Sequence, residues 1–118
     1  MLKISLRSLL FSILCMSFSL AFAAEEGVAS YYSDVFQGKK TASGSVYDRN
    51  KLTAAHNNLP FGTKVKITDL KNNKSVIVTI TDRGPYSKKR MVDLSYAAAK
   101  EIDLIKAGVS KVKLEIIK

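Results

Sequence analysis

The chain is poor in the residues that build disulfide and metal sites: its 118 residues include one cysteine, one histidine and no tryptophan. A single cysteine excludes an intramolecular disulfide and the cysteine clusters that hold structural zinc. A single histidine gives no basis for a histidine-based metal site. We therefore predict no metal and no cofactor, and a fold that depends on its hydrophobic core.

The first 23 residues have the layout of a secretory signal peptide. Lys3 and Arg7 form a basic start, residues 9–20 are almost wholly apolar, and residues 21–23 (AFA) place small side chains at the positions that a signal peptidase reads. We predict cleavage after Ala23, which leaves residues 24–118 as one small domain and removes the single cysteine.

A retained membrane anchor and a lipoprotein signal are the alternatives to cleavage. A membrane-spanning helix needs about 20 apolar residues, whereas this segment is shorter and is interrupted by serines. A lipoprotein signal needs a small residue before its acceptor cysteine, and Cys15 follows Leu14 within the apolar segment. We therefore expect an exported protein of the periplasm or cell envelope, with no stable membrane insertion after cleavage.

The exported part is strongly basic. The whole chain has 19 lysines and arginines, two of which lie in the predicted signal, so 17 cations face 10 acidic residues and the net charge is +7. A basic domain often binds nucleic acid, but export argues against that partner and favours anionic polymers of the cell wall. Solubility and weak surface attraction explain the same charge, and composition leaves both explanations open.

Alternating apolar residues predict a small β-domain. Residues 71–74 carry two asparagines suited to a tight turn, which indicates a hairpin between two segments rich in β-branched residues. The predicted strands are 27–32, 52–55, 64–70, 75–81 and 111–116, with Val112, Leu114 and Ile116 facing the core. A polar loop, long for so small a domain, occupies residues 33–50, and loops of this kind are often functional.

One helix is predicted near the carboxyl end. Ser95 is a suitable N-cap, Gly108 is a suitable residue for the helix end, and an apolar stripe lies between them: Ala97, Ala98, Ile102 and Ile105. Several short strands with one helix favour a closed barrel of mixed connections.

Asp82 is the first candidate for chemistry. It ends the most convincing buried strand and precedes Arg83 and a Gly-Pro turn. A carboxyl group at a strand end can be rigid, partly desolvated and open to a cleft, which suits a general acid. A structural ion pair with Arg83, or an Asx turn, explains the same residues without catalysis.

The single histidine and the aromatic residues are further candidates. His56 is either a partner of Asp82 in proton transfer or a hydrogen-bonding residue of the surface. The first half of the domain is rich in rings that either stack on sugars or pack in the core and at its rim: Tyr31, Tyr32, Phe36 and Tyr47.

A series of motifs, taken together, resembles the rare lipoprotein A (RlpA) family. The match extends over about residues 27–117, and the motifs occur in the family's order and spacing. They are GVASYY at 27–32, TASG at 41–44, YD at 47–48, LTAAH at 52–56, LPFGT at 59–63, DRGP at 82–85 and VDLSYAAA at 92–99.

The resemblance implies an all-β fold, a six-stranded double-psi β-barrel with one short helix. It implies a peptidoglycan lytic transglycosylase that cleaves the MurNAc–GlcNAc bond with a 1,6-anhydro product and prefers strands lacking stem peptides. The family's catalytic-site residues map onto Asp82 and His56. We expect substrate-binding residues around them, which are Arg83, Tyr47, Tyr31 and Ser45.

One departure from the family pattern bears on activity. The family usually has Glu after the TASG motif, where this chain has Ser45. A lytic transglycosylase uses the sugar's own 6-hydroxyl as nucleophile, so one carboxyl group, that of Asp82, can protonate the leaving oxygen and then deprotonate the hydroxyl. The alternative is a non-catalytic peptidoglycan-binding barrel. In either case we expect a monomer whose partner is the glycan strand.

Overall fold

The computed structural model describes residues 24–118, and the signal peptide predicted for residues 1–23 lies outside the described residues. Six strands occur in the described part of the chain, together with one short helix, α1, and a single 3₁₀ turn at Asp34–Phe36. The strands are β1 (Glu25–Tyr31), β2 (Thr53–His56), β3 (Lys64–Asp69), β4 (Ser75–Asp82), β5 (Val92–Leu94) and β6 (Ser110–Ile116), and α1 is Tyr96–Glu101.

The strands close into a barrel in the order β1-β5-β2-β4-β3-β6. The β1–β5 and β2–β4 pairs are parallel, and the remaining pairs are antiparallel. Parallel neighbours cannot be joined by a tight turn, so the chain must cross the barrel between them. The predicted six-stranded all-β barrel with one short helix is confirmed.

The core fills the inside of this barrel. Strands β3 and β4 alternate exposed and buried residues, as the period of two in an extended chain requires. Fully buried aliphatic side chains come from every part of the ring and include Val65, Ile67, Ile80, Leu94 and Val112. Each stabilises the folded state by about 1.5–3 kcal/mol through the apolar surface that it removes from water.

Helix α1 begins as predicted and ends early. The Ser95 side chain accepts a hydrogen bond from the backbone N–H of Ala98, as an N-cap does. The helix stops at Glu101, because the chain reverses at Asp103, which has a φ of 58°. Leu104 rather than Ile105 is then fully buried, so the predicted continuation toward Gly108 was wrong.

Two further details differ from the predictions. Strand β5 was not predicted, because three residues are too few to show an alternating pattern. Ile116 was predicted to face the core, but it is 51% exposed because it is the last residue of β6. Between residues 24 and 118, no helix has the length and apolar character needed to cross a membrane.

Candidate functional site

Four neighbouring strands place one residue each in a row on the outside of the barrel. Ser30 of β1 is in register with Asp93 of β5, Asp93 with Ala55 of β2, and Ala55 with Asp82 of β4. Side chains at paired positions lie on the same face of a sheet. Two carboxylates that are 11 positions apart in sequence therefore lie on either side of Ala55, two strand spacings or about 9–10 Å apart at the backbone.

A β-bulge turns Asp82 outward. Ala54 pairs with Ile80, but the next residue, Ala55, pairs with Asp82, so Thr81 is the extra residue. Ile80 is fully buried in the core, and strict alternation would send the side chain of Asp82 to the same face. Bulges commonly redirect a side chain in this way beside functional sites.

The carboxylate of Asp82 accepts three hydrogen bonds, and its two oxygens have different partners. Oδ1 accepts from the backbone N–H of Ala42 at 2.8 Å and of Arg83 at 2.9 Å. Oδ2 accepts from the hydroxyl of Tyr32 at 2.5 Å. The two backbone N–H groups can only donate a hydrogen bond, whereas a tyrosine hydroxyl can donate or accept one. Oδ2 is therefore the oxygen that can gain and lose a proton without losing its partner.

Tyr32 is fixed by aromatic contacts. Its ring stacks on Tyr47 at 4.4 Å between centroids and meets Phe36 edge-on at 5.7 Å. Burial, followed by the hydrogen bond to Asp82 and the nearby charge of that carboxylate, raises the pKa of Tyr32 far above its usual value. The hydroxyl therefore remains a protonated donor over the whole physiological range.

The cavity around Asp82 has a volume of about 570 Å³, and Asp93 belongs to it. Arg90 binds the second carboxylate: its guanidinium donates to Asp93 Oδ1 at 3.0 Å and to the Ser30 hydroxyl at 2.6 Å. The Ser30 hydroxyl also donates to Asp93. Asp93 is therefore neutralised by a cation, while Asp82 is held by neutral donors.

Arg83, predicted to bind substrate, does not pair with Asp82 through its side chain. Its guanidinium donates to the carbonyl oxygens of His56 at 3.0 Å and Leu59 at 2.8 Å, and it lies over the ring of Phe61 at 4.0 Å. The structure thus does not contain the Asp82–Arg83 ion pair that the sequence left open. These contacts hold Arg83, the residue directly after Asp82, against the segment that contains His56, Leu59 and Phe61.

The two predicted tyrosines occupy different positions. Tyr31 lines the Asp82 cavity, and its hydroxyl donates to the carbonyl oxygen of Ile105 at 3.1 Å. Tyr47 is only 3% exposed and lies beneath Tyr32, with its hydroxyl accepting from the backbone N–H of Tyr96 at 3.2 Å. Burial raises the pKa of Tyr47. This residue supports the cavity wall and presents no face to a ligand.

Ser45 lies in an exposed group of three hydroxyls. Its Oγ is 2.9 Å from both Thr41 Oγ1 and Ser43 Oγ, which are also 2.9 Å from each other. The same loop donates the Ala42 N–H to Asp82, so position 45 belongs to the segment that covers this carboxylate. These three hydroxyl side chains include no carboxyl group that could act as an acid.

His56 is not part of the Asp82 cavity. It is 5% exposed and lines a second cavity of about 300 Å³, beside Glu25 and the basic residues 88–90. Its Nε2 is 3.5 Å from Glu25 Oε1. The structure therefore brings the predicted residues Asp82, Arg83 and Tyr31 to one cavity and places His56 in another. In residues 24–118 no three His, Cys, Asp or Glu side chains converge as metal ligands would.

Comparison with known proteins identifies the family. The family profile described as lytic transglycolase matches residues 24–114, which is most of the chain. The chain belongs to the lytic transglycolase family. This confirms the resemblance drawn from the motifs.

Several relatives of this lytic transglycolase domain carry the name RlpA. This chain is 54% identical over 93 residues to "Endolytic peptidoglycan transglycosylase RlpA" of Haemophilus influenzae, and 49% identical over 92 residues to the protein of that name in Campylobacter jejuni. The matches cover 79% and 78% of this chain but 32% and 34% of those proteins. The chain thus spans about a third of their length.

Solved structures show the same fold at low sequence identity. The Streptomyces papain inhibitor matches with a TM-score of 0.66 and 21% identity, covering 81% of this chain and 96% of that protein. The apo form of Clavibacter michiganensis expansin matches with a TM-score of 0.64 and 20% identity, covering 81% of this chain and 51% of that protein. These likenesses establish the barrel alone.

The residues of the Asp82 cavity that reasoning from the sequence did not single out include Asp93 and Tyr86. Arg90 and Asp93 have the spacing of an i,i+3 ion pair, but such pairs are common on surfaces. Tyr86 follows the Gly-Pro turn and is 88% exposed. The one feature of the sequence that pointed to Asp93 was the VDLSYAAA motif at 92–99, in which this aspartate shortly precedes the helix cap.

Proposed function

We propose that this domain is a lytic transglycosylase that cleaves the MurNAc–GlcNAc bond of peptidoglycan and leaves a 1,6-anhydro product. The observation that carries the proposal is the carboxyl group of Asp82 in the cavity, with Oδ1 held by two backbone N–H donors and Oδ2 by the hydroxyl of Tyr32. Family membership and the names of the relatives support the same reaction class.

One carboxyl group completes the reaction. Asp82 Oδ2 gives its proton to the glycosidic oxygen as the bond from that oxygen to the anomeric carbon breaks. The 6-hydroxyl oxygen of the same sugar then bonds to the anomeric carbon, and its proton passes to the Asp82 carboxylate, which restores the acid. The intramolecular attack has a high effective concentration and needs no activated water.

The rest of the cavity holds the strand. Its volume is in the range of sites that enclose small ligands. The exposed rings of Tyr86 and Phe36 at its rim can stack on the apolar faces of sugars, while Arg90 keeps the charge of Asp93 compensated. We propose strands lacking stem peptides as the preferred substrate and the periplasm or cell envelope as the place of action.

Product analysis tests this assignment. Incubation of the domain with denuded glycan is expected to release 1,6-anhydro-sugars detectable by mass spectrometry, and Asp82→Asn is expected to abolish the release. Asp93→Asn is the matched variant, because it changes the other carboxylate of the same cavity. Product that persists in Asp82→Asn but disappears in Asp93→Asn would transfer the acid role to Asp93.

A non-catalytic peptidoglycan-binding barrel is the second candidate function. The observation in its favour is the hydroxyl cluster of Ser45, which supplies no second acid beside Asp82. Sedimentation with purified sacculi at low salt, where attraction by a basic domain is strongest, distinguishes the two. Binding without any anhydro product would support this candidate, and absence of binding would exclude it.

A further inference from the structure

The single histidine has a hydrogen-bond pattern that fixes which ring nitrogen carries the proton. His56 Nδ1 accepts from the backbone N–H of Asn58 at 3.1 Å and from that of Leu59 at 3.2 Å. A ring nitrogen that accepts hydrogen bonds is unprotonated, so the proton of the neutral ring is on Nε2. That nitrogen lies 3.5 Å from Glu25 Oε1, and Asp82 is not among the residues that line the cavity of His56.

The turn that His56 caps holds the segment directly after Asp82. Asn57 accepts from the backbone N–H of Gly84 at 2.9 Å and donates to the carbonyl oxygen of Pro85 at 2.8 Å. Arg83 donates to the carbonyl oxygen of Leu59 at 2.8 Å. Three consecutive residues, 83–85, are therefore fastened to residues 57–59.

The backbone of this segment has a conformation that favours glycine. Gly84 has a φ of 125°, a conformation that residues with a side chain rarely adopt. Arg83 also donates its own N–H to Asp82 Oδ1. A displacement of residues 83–85 would therefore remove one of the three hydrogen bonds that orient the carboxylate of Asp82.

We propose that His56 is a positioning residue: its neutral Nδ1 folds the turn at 57–59, and this turn fixes the segment that aims Asp82. It takes no part in proton transfer, because a proton on Nδ1 would face two N–H donors and break both bonds. The charged groups around the ring, Glu25, Glu26 and the basic residues 88–90, line its own cavity. This proposal rests on the proposed function in one respect, which is that Asp82 is the reacting group.

Two amide variants separate positioning from proton transfer. His56→Asn keeps an acceptor oxygen at the place of Nδ1, whereas His56→Gln moves it one carbon farther along the side chain. Neither amide can transfer a proton. We expect His56→Asn to keep the rate of anhydro-product release within about threefold and to leave its pH profile unchanged, while His56→Gln loses roughly tenfold or more. A proton-transfer role requires both to lose about 10²–10⁴-fold, which would overturn the proposal.

A spectroscopic measurement tests the same claim without any activity. The chain has one histidine, so the ¹⁵N signals of the ring are unambiguous. Near neutral pH we expect an unprotonated Nδ1 and a protonated Nε2; the reverse tautomer would overturn the proposal. If the unaltered domain releases no product, the proposed function fails, and the tautomer still decides the role of His56 in the turn.

Discussion

The Tyr32→Phe substitution removes one hydroxyl and tests whether its hydrogen bond to Asp82 contributes to the reaction rate. The ring contacts with Tyr47 and Phe36 do not involve that hydroxyl, so the substitution removes little besides the 2.5 Å hydrogen bond to Asp82 Oδ2. A hydrogen bond to a charged group contributes about 1.5–3 kcal/mol. At about 1.4 kcal/mol per tenfold change in rate, we expect kcat for anhydro-product release to fall roughly 10- to 100-fold.

The same substitution has a signature at alkaline pH. Unfolded Tyr32 releases its proton near the usual pKa of 10.0, whereas burial and the bond to Asp82 raise the pKa in the folded domain. Above pH 10 the unfolded chain therefore binds fewer protons than the folded one, and stability falls as pH rises. The slope contributed by one such group is at most about 1.4 kcal/mol per pH unit, and Tyr32→Phe should remove it.

Urea denaturation at a series of pH values from neutral to alkaline measures this slope. Tyr86→Phe is the matched control, because Tyr86 lines the same cavity but is 88% exposed. Contributions from the other titrating groups are common to all three proteins and cancel in the comparison. An unchanged alkaline slope in Tyr32→Phe would refute the inference that this hydroxyl is buried against Asp82, and an unchanged kcat would refute its contribution to the reaction.

Three further substitutions have defined outcomes. Ser45→Glu returns a carboxyl group to the loop that covers Asp82 and should raise the rate of product release at least about tenfold in the same mass-spectrometric assay; no gain would mean that this position contributes no acid. Tyr86→Ala should raise KM for denuded glycan with little change in kcat, because the ring at the cavity rim is 88% exposed and its proposed role is to stack on the strand; a fall in kcat alone would contradict this role. Leu94→Ala should lower the free energy of unfolding in urea by about 2–5 kcal/mol, since Leu94 is fully buried, and a loss below 1 kcal/mol would show a poorly packed core.

The local elements of the barrel were predictable from the sequence. The β3–β4 hairpin follows from alternation on both sides of a short asparagine turn, and the Ser95 cap follows from a single side chain and its neighbours. Asp82 was predictable as a candidate because its surroundings, a buried strand and a Gly-Pro turn, lie within a few residues of it.

Register between distant strands was not predictable. Asp82 and Asp93 lie on either side of Ala55 only because β2 lies between β4 and β5, and a bulge at Thr81 sets which side chain turns outward. The orientation of His56 has a similar origin, since it depends on two backbone N–H groups in a turn that no periodic pattern describes.

The strand order of the barrel has a consequence for how the domain can form. When the chain is divided at the turn between β3 and β4, every strand is hydrogen-bonded only to strands of the other half. Neither half can therefore begin a sheet alone, and a chain that emerges amino end first pairs none of its strands before β4 has followed. Such non-local pairing makes folding slow and cooperative. The Asp82 cavity likewise takes its lining from both halves, with Tyr31 and Tyr32 from the first and Asp82 and Asp93 from the second, so it forms only when the two halves pair.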